Sequence, residues 1–487
     1  MCISLAEGED VQERRAFQMA AKKSAVAPSS FALASEFQAT QKKEMLLCGR
    51  PPEMRPDIPV SLLCEIFGDF QCDVETIEPT REDCEFAVHV AATMAKSFST
   101  ENSRRDEFRE IFWPYISSVC SLPGMQYMPI AIPREGAPDL TTDGSLVWQE
   151  GNSWSLLLNV EVKREKEDRG DGYLQNVKYY SAFWSHMGDS QRWKEDRCPS
   201  FLVELSGNIL SVSGAVWGKH ACISPLTDLV YLLGFNLPHD APSLTRLARV
   251  GASLRKGLVA LQRYYQSLPV PAKLAKETIE REICSMYPYM DRYFCEEERR
   301  EIAFVYQRVL ERNKLLFLVE TEEGRRMVVK FCRRYSVDAH RLCAEQCRAP
   351  RLESVKELAG GWRMIVMEYV EATPLSSLRS ERGWNSERIV NQVKECIARL
   401  HDCGYVHGDL RDNNILVADG NSGILTEAVV IDFDWAGRSG VDRYPLFMNH
   451  AAVQWPDGAA DGEYLQKEHD IEWISRLERW LSSGQNS

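Results

Sequence analysis

Apolar positions along the chain fall into two regimes. Apolar residues gather from Ile58 to Phe70, and Thr80 to Cys120 carries helical spacing, with Phe86, Val90, Met94 and Phe98, then Phe108, Ile111, Phe112 and Ile116, recurring at helical intervals. Between Met125 and Val216 the pattern turns strand-like, at Tyr127 to Ile132, Ser145 to Gln149, Ser155 to Lys163, Ser200 to Leu205 and Ile209 to Val216. Glu150-Gly151-Asn152 reads as a turn between two of these strands. An α/β domain with a mixed sheet is therefore expected over residues 56–238. Residues 1–55 mix Ala, Ser, Gln and charge before Pro51, Pro52 and Pro56, the composition of a mobile lead-in.

From Asp240 to Pro271 one amphipathic helix, with Leu244, Leu247, Val250 and Leu254, runs into Pro269 and Pro271, so 239–296 reads as a helical linker. A second domain is expected over 297–487. Two domains also follow from the length, because single cores stop growing near roughly 250–300 residues and this chain has 487. With 44% hydrophobic and 26% charged residues, both should pack as ordinary globular units.

A net charge of −13 excludes holding nucleic acid by bulk electrostatics, so any such contact must be a local basic groove. Leu226 to Leu237, among the longest apolar runs, is broken by Asp228 and is too short to cross a bilayer. Glu7, Glu9, Asp10, Glu13 and Arg14 fall where a secretory signal needs an apolar core. An intracellular protein, cytoplasmic or nuclear, with no membrane partner is expected. Fifteen cysteines without one C-x-x-C pair indicate reduced thiols, and Cys332, His340, Cys343 and Cys347 match no standard zinc spacing.

The most specific signal is Tyr405-Val-His-Gly-Asp-Leu-Arg-Asp-Asn-Asn-Ile-Leu-Val417, followed by Val430-Ile-Asp-Phe-Asp-Trp-Ala-Gly437. Phosphoryl transfer needs a carboxylate to orient the attacking hydroxyl, and oxygens to hold the ions that neutralise the phosphates. Asp409 fits the first role; Asn414 and Asp432 fit the second. These segments resemble the catalytic loop and metal-binding motif of the protein-kinase-like superfamily. The resemblance implies a two-lobed fold, ATP and Mg²⁺ as cofactors, and a protein or small-molecule phospho-acceptor. It makes Lys330 the phosphate-contacting lysine, Glu345 on a helix from His340 to Cys347 its ion-pair partner, and Val366 to Val370, with Glu368, the strand that meets the adenine ring.

Departures from that pattern bear on activity. Arg300 to Glu323 contains no glycine, so the glycine-rich phosphate loop is missing. His407-Gly408-Asp409 replaces His-Arg-Asp, as in small-molecule phosphotransferases, and Asp434 stands where Asp-Phe-Gly has glycine. No Ala-Pro-Glu follows, and control by activation-loop phosphorylation is not expected.

In the first domain, Ala137-Pro138-Asp139-Leu140 precedes strands, one carrying Asn159-Val-Glu161-Val-Lys163. Glu161 and Lys163, two apart, share a strand face while Val160 and Val162 bury the other. Gln175 and Tyr179, four apart, share a helix face that also offers Lys178. These residues resemble the PD-(D/E)XK restriction-endonuclease-like pattern, with Gln-x-x-x-Tyr similar to the extra motif of RecB-type nucleases. The resemblance implies Mg²⁺ held by Asp139 and Glu161, Lys163 orienting the attacking water, and DNA or RNA contacted by Gln175 and Tyr179. Glu107 and Glu110 are equal candidates for a further acidic group from the preceding helix. A nuclease-like domain before a divergent kinase-like domain resembles Crinkler-type effectors and fungal kinase-domain proteins. A non-catalytic scaffold, with a pseudokinase nucleotide sensor and an inactive nuclease-like domain, is the alternative.

Overall fold

The computed structural model describes residues 5–118, 124–134, 136–150, 153–165, 170–187, 196–232, 241–268, 284–311, 313–378, 384–419 and 425–484, so the expected turn at Gly151-Asn152 lies outside them. The chain divides into two compact units, Met1–Met290 and Asp291–Ser487.

In the first unit, helices α1 (Leu5–Lys23), α2 (Glu65–Thr76), α3 (Arg81–Met94) and α4 (Glu101–Ser117) precede strands β1 (Met125–Met128), β2 (Gly144–Glu150) and β3 (Ser153–Lys163). Then come α5 (Gly172–Met187), β4 (Ser200–Ser206), β5 (Ile209–Trp217), β6 (Ala221–Pro225), β7 (Val230–Tyr231) and α6 (Ala241–Ser267). The sheet runs β1-β2-β3-β4-β5-β6, with β7 also on β5; β3 and β4 are parallel and the other pairs antiparallel. Thr80 caps α3 by accepting from the Asp83 amide while the Asp83 carboxylate takes the Thr80 amide, the reciprocal pairing that starts a helix.

Both ends of this unit differ from the sequence expectation. The expected lead-in contains α1, whose Phe17 is buried in the main core together with Phe31, and whose Arg14 donates to the carbonyls of Asp196 and Trp217. Val11, Phe17 and Ala21, with the hydrogen-bonded Arg14 between them, fall three and four apart and form the face that this segment buries, although its overall composition is polar. The expected linker contains α6, whose Leu258, Leu261 and Tyr265 are fully buried in the same core. Gly257 lets α6 approach closely, since a Cβ there would come within 2.7 Å of the Phe201 ring.

The second unit opens with an antiparallel sheet ordered β8-β9-β10-β11-β13-β12, built from β8 (Arg292–Cys295), β9 (Arg300–Glu311), β10 (Leu316–Thr321), β11 (Arg326–Cys332), β12 (Leu352–Leu358) and β13 (Trp362–Glu368). Helix α7 (Val337–Ala344) lies between β11 and β12 in the chain. After β14 (Ala372–Pro374) come α8 (Ser386–Asp402), β15 (Tyr405–Val406), β16 (Ile415–Asp419), β17 (Leu425–Val430), β18 (Gly437–Arg438) and α9 (Lys467–Gly484). Strands β14, β16 and β17 form a small sheet and β15 pairs with β18, so hairpins hold the motif-bearing loops at their ends. Helix α8 buries Ile389, Val393, Ile397 and Leu400, the spacing of one helical face. Among the described residues no helix is long and apolar enough to cross a membrane.

Candidate functional site

Lys330 stands in the middle of β11 and is 3% exposed. Its Nζ lies 2.7 Å from Asp432 Oδ1 and 2.6 Å from Asp434 Oδ1. Burial alone would push Asp432 up, but the ammonium groups of Lys330 and Lys314 overcome it and hold its carboxyl well below the usual carboxylate range. Burial would likewise lower Lys330, yet Asp432 and Asp434 hold it well above the usual lysine range. Asp434 is pushed up to about 6, by burial and by Asp432, against the pull of Lys330. Asp432 has φ of +70°, a left-handed conformation uncommon for a residue with a Cβ, so the surrounding structure constrains it.

Asn414, fully buried, donates from Nδ2 to the Asp409 carbonyl at 2.8 Å and to Asp409 Oδ2 at 2.9 Å, which leaves its Oδ1 facing Lys314. Arg411 grips both Asp409 oxygens, with its guanidinium 5.2 Å from the Trp455 ring centre. The Asp409 amide donates to His407 Nδ1, so the proton on His407 sits at Nε2 and is donated to the Ile431 carbonyl at 3.1 Å. That hydrogen bond ties the loop holding Asp409 to the segment holding Asp432. Phe433 stacks on His340 at 4.7 Å and meets the His407 ring at 5.3 Å.

Among the residues expected here, Lys330, Asp409, Asn414 and Asp432 come together. Glu345 does not. Helix α7 ends at Ala344, leaving Glu345 as its exposed C-cap with no ion-pair partner among the described residues, and Asp434 takes its expected place beside Lys330. Glu368 closes β13 with an exposed side chain, and its amide donates to the Arg351 carbonyl at 2.9 Å. Of Cys332, His340, Cys343 and Cys347, His340 is bonded through both nitrogens, to Tyr335 and to the Pro350 carbonyl. The donor set fits a hard cation, because Asp432 Oδ2 and Asn414 Oδ1 already converge on one positive charge, the Lys314 ammonium, at 2.9 and 3.4 Å.

Sequence reasoning missed Lys314, which belongs to no motif, and Asp470 on α9. Asp470 is fully buried and accepts from the His407 and Gly408 amides and from His401 Nε2.

A second constellation lies in the first unit. Glu161 and Lys163, expected on the face opposite Val160 and Val162, are 2% and 5% exposed, because both faces of β3 are covered. Lys163 Nζ is 2.8 Å from Glu161 Oε1 and 3.5 Å from Glu101 Oε2 on α4. Burial, reinforced by Asp143, pushes Glu161 up to about 8 despite Lys163. Glu161 Oε2 and Gln175 Nε2 are both buried without a hydrogen-bond partner. Tyr179 donates to the Thr141 carbonyl at 2.8 Å, and burial together with the charges of Glu161 and Asp143 holds its hydroxyl well above the usual range.

Asp139 is a correction: it is exposed, and the carboxylate that reaches Glu161 is Asp143, whose Oδ2 accepts from the Val162 amide at 2.9 Å. Four residues of turn and short strand after Asp139 carry the chain to that spot. From α4 the acidic residue beside Lys163 is Glu101, whereas Glu107 pairs with Lys96. Lys178 is buried against Glu44 at 2.6 Å and is not offered to a ligand. Among the described residues no three or more His, Cys, Asp or Glu side chains stand ready as a metal cage, and in this conformation the Lys163 ammonium lies against Glu161 and Glu101.

Comparison with known proteins bears on the second unit. Residues 316–434 match the RIO domain, an atypical kinase-like domain. A "Probable bifunctional tRNA threonylcarbamoyladenosine biosynthesis protein" of Methanoculleus marisnigri is 28% identical over 185 residues, covering 33% of this chain and 34% of that protein. The chain thus spans about a third of the length of the curated relative it matches. Among solved structures, the Cydia pomonella granulovirus kinase PK-1 aligns with 19% identity and a TM-score of 0.29, over 34% of this chain and 64% of that one, a likeness too slight to carry an argument. RIO and kinase-like domains bind ATP with Mg²⁺, the cofactors expected from the sequence. These matches lend no support to the Crinkler-type, fungal or nuclease readings.

Proposed function

We propose that the kinase-like unit transfers the terminal phosphoryl group of ATP to a hydroxyl, with Asp409 orienting the acceptor, Lys330 contacting the phosphates, and Asn414 and Asp432 holding Mg²⁺. Bound there, the ion would neutralise charge on the phosphates. One observation carries this reading: two buried hydrogen-bonded pairs, Lys330 on β11 with Asp432 and Asn414 with Asp409, are brought together by segments joined through His407 and Ile431. A scaffold would gain nothing from buried charges, since an apolar replacement is often as stable. Arg411 neutralises Asp409 until an acceptor hydroxyl competes for it, and it can then turn to transferred phosphate as a planar donor. Glu368 would lie at the adenine-binding strand.

Phosphotransfer from labelled ATP tests the proposal, with protein, small alcohols and tRNA as acceptors, the last because the name of the Methanoculleus marisnigri relative assigns it to tRNA threonylcarbamoyladenosine biosynthesis. Asp409→Ala should lower transfer by roughly 10² to 10⁴-fold while nucleotide affinity stays nearly intact. Stabilisation by Mg·ATP without any transfer would instead favour the non-catalytic nucleotide sensor.

A second reading attaches to the first unit: Mg²⁺-dependent hydrolysis of nucleic-acid phosphodiester bonds in a PD-(D/E)XK manner, with Glu161 and Asp143 as ligands, Lys163 orienting water, and Gln175 and Tyr179 meeting the strand. Its support is the buried Glu161, which keeps one oxygen unpaired while the other meets Lys163 two residues away, together with the buried, unpaired amide of Gln175. Such unpaired buried groups are costly unless something completes them. Chelation should abolish nicking of a supercoiled plasmid by the purified chain.

A further inference from the structure

Strands β9 and β10 are where a kinase-like fold would carry its phosphate loop, and here the connection has no glycine. Its described part, Asn313-Lys314-Leu315, is held rigidly. Leu315 takes φ of +47°, is buried, and accepts from the Phe331 amide at 3.1 Å, one residue beyond Lys330. Leu316 pairs with Lys330 itself across the ladder. The turn therefore sits over the strand that bears Lys330, and it projects a side chain where amides cannot approach.

That side chain is Lys314, about one-third exposed. Its ammonium stands 2.9 Å from Asp432 Oδ2 and 3.4 Å from Asn414 Oδ1, the two oxygens assigned above to the metal, and 3.8 Å from Glu311. Lys330 occupies the other Asp432 oxygen. Both oxygens of Asp432 are thus neutralised by lysines before any divalent ion arrives. A free cation would have to displace an ammonium that stays tethered to a fixed turn, whereas a metal-nucleotide brings phosphate oxygens that can receive it.

We propose that Lys314 is a built-in counter-cation of the metal site: it blocks free divalent ions from Asp432 and Asn414, and yields only to a metal-nucleotide whose phosphates take over its charge. The inference rests on the nucleotide reading of this site. It assigns to one lysine the work of the missing glycine-rich loop, through a point charge rather than a cradle of amides. It also makes the site read the nucleotide and its metal together.

The test uses the full chain and Mn²⁺ alone as probe, read by titration calorimetry and electron paramagnetic resonance. Asp432→Asn serves as the blank that removes metal bound elsewhere. Lys314→Met should tighten the Asp432-dependent Mn²⁺ site by roughly fivefold or more, and Lys314→Arg should restore the wild-type value. In parallel, Mg·ATP affinity should fall in Lys314→Met and be largely kept in Lys314→Arg. Because Lys314 is partly exposed on a turn, its variants should keep the wild-type melting temperature. An Asp432-dependent Mn²⁺ affinity unchanged or weaker in Lys314→Met overturns the proposal, even where wild type is stabilised by Mg·ATP. Absence of any Mg·ATP binding by the wild type refutes the underlying nucleotide reading instead, and the Mn²⁺ arm still decides the role of Lys314.

Discussion

Asp470 Oδ1 accepts the backbone amide of Gly408 at 2.9 Å, across 62 residues of chain. The same carboxylate takes the His407 amide at 2.8 Å and His401 Nε2 at 3.0 Å, so one buried side chain on α9 fixes the approach to Asp409. Removing it strands three donors in the interior. Asp470→Ala should destabilise the chain by about 3–5 kcal/mol, from the cost of unpaired buried groups around a lost charge. Asp470→Asn should cost less, yet still lower phosphotransfer, because its amide nitrogen faces a donor. Denaturant melts and labelled-ATP transfer measure both; a fully stable, active Asp470→Ala would refute the anchoring role.

Helix α7 leaves Glu345 outside the site. Glu345→Gln should change stability by no more than about 0.5 kcal/mol, as surface substitutions do, and leave Mg·ATP affinity alone. Asp434→Ala removes one of the two carboxylates on Lys330 and should weaken nucleotide binding. If Glu345→Gln costs tenfold in affinity, the helix must rearrange when nucleotide binds.

The two candidate acids before β3 separate cleanly by substitution. Asp139→Ala should leave any Mg²⁺-dependent nicking at the wild-type rate, while Asp143→Ala should reduce it to the level of Glu161→Ala. Parallel plasmid assays decide this, and the opposite ranking would return the role to Asp139.

Glu161 carries a pH signature. Its proton is held more tightly in the native state, with the carboxyl pushed up to about 8, than in the unfolded chain, where an ordinary glutamate titrates near 4.5. Stability from that proton is therefore present in full below about pH 4.5 and is lost as pH rises through about 8. Glu161→Gln cannot titrate. It should gain on the wild type as pH rises from 5 to 8, by several degrees in melting temperature, since about 1 kcal/mol shifts a domain of this size by roughly 2–4 °C. Calorimetric scans at three pH values show it; parallel curves for the two proteins would mean that Glu161 is ionised in the native state throughout.

Motif and spacing located much of this. The strands from Ser145 to Val216 and the helix around Ile389 to His401 follow from periodicity, because each presents an apolar face to a core. Asp409, Asn414 and Asp432 were legible because short segments beside paired strands fix their geometry locally, and Lys330 because it lies on a strand. Asp470 was not, since a lone Asp in an amphipathic helix looks solvated until a loop 62 residues away turns toward it. Asp139 misled by its motif-like neighbours: a carboxylate four residues later reaches the strand, and sequence spacing does not reveal where a turn deposits a side chain. The lead-in misled through composition, which averages away the few aromatic residues that anchor it.

Gly408 has φ of +79°, and a Cβ there would press within 3.0 Å of Leu465 and 3.2 Å of the Trp435 carbonyl. A larger residue there would be strained by the positive φ and would have to push Leu465 and the Trp435 carbonyl aside by a few tenths of an ångström. Where many kinase-like loops carry an arginine able to read a phosphate added elsewhere on the chain, this loop carries a bare turn sealed by aliphatic and backbone atoms. The consequence is local: the backbone that presents Asp409 is set by packing at Gly408 rather than by a side chain at that position.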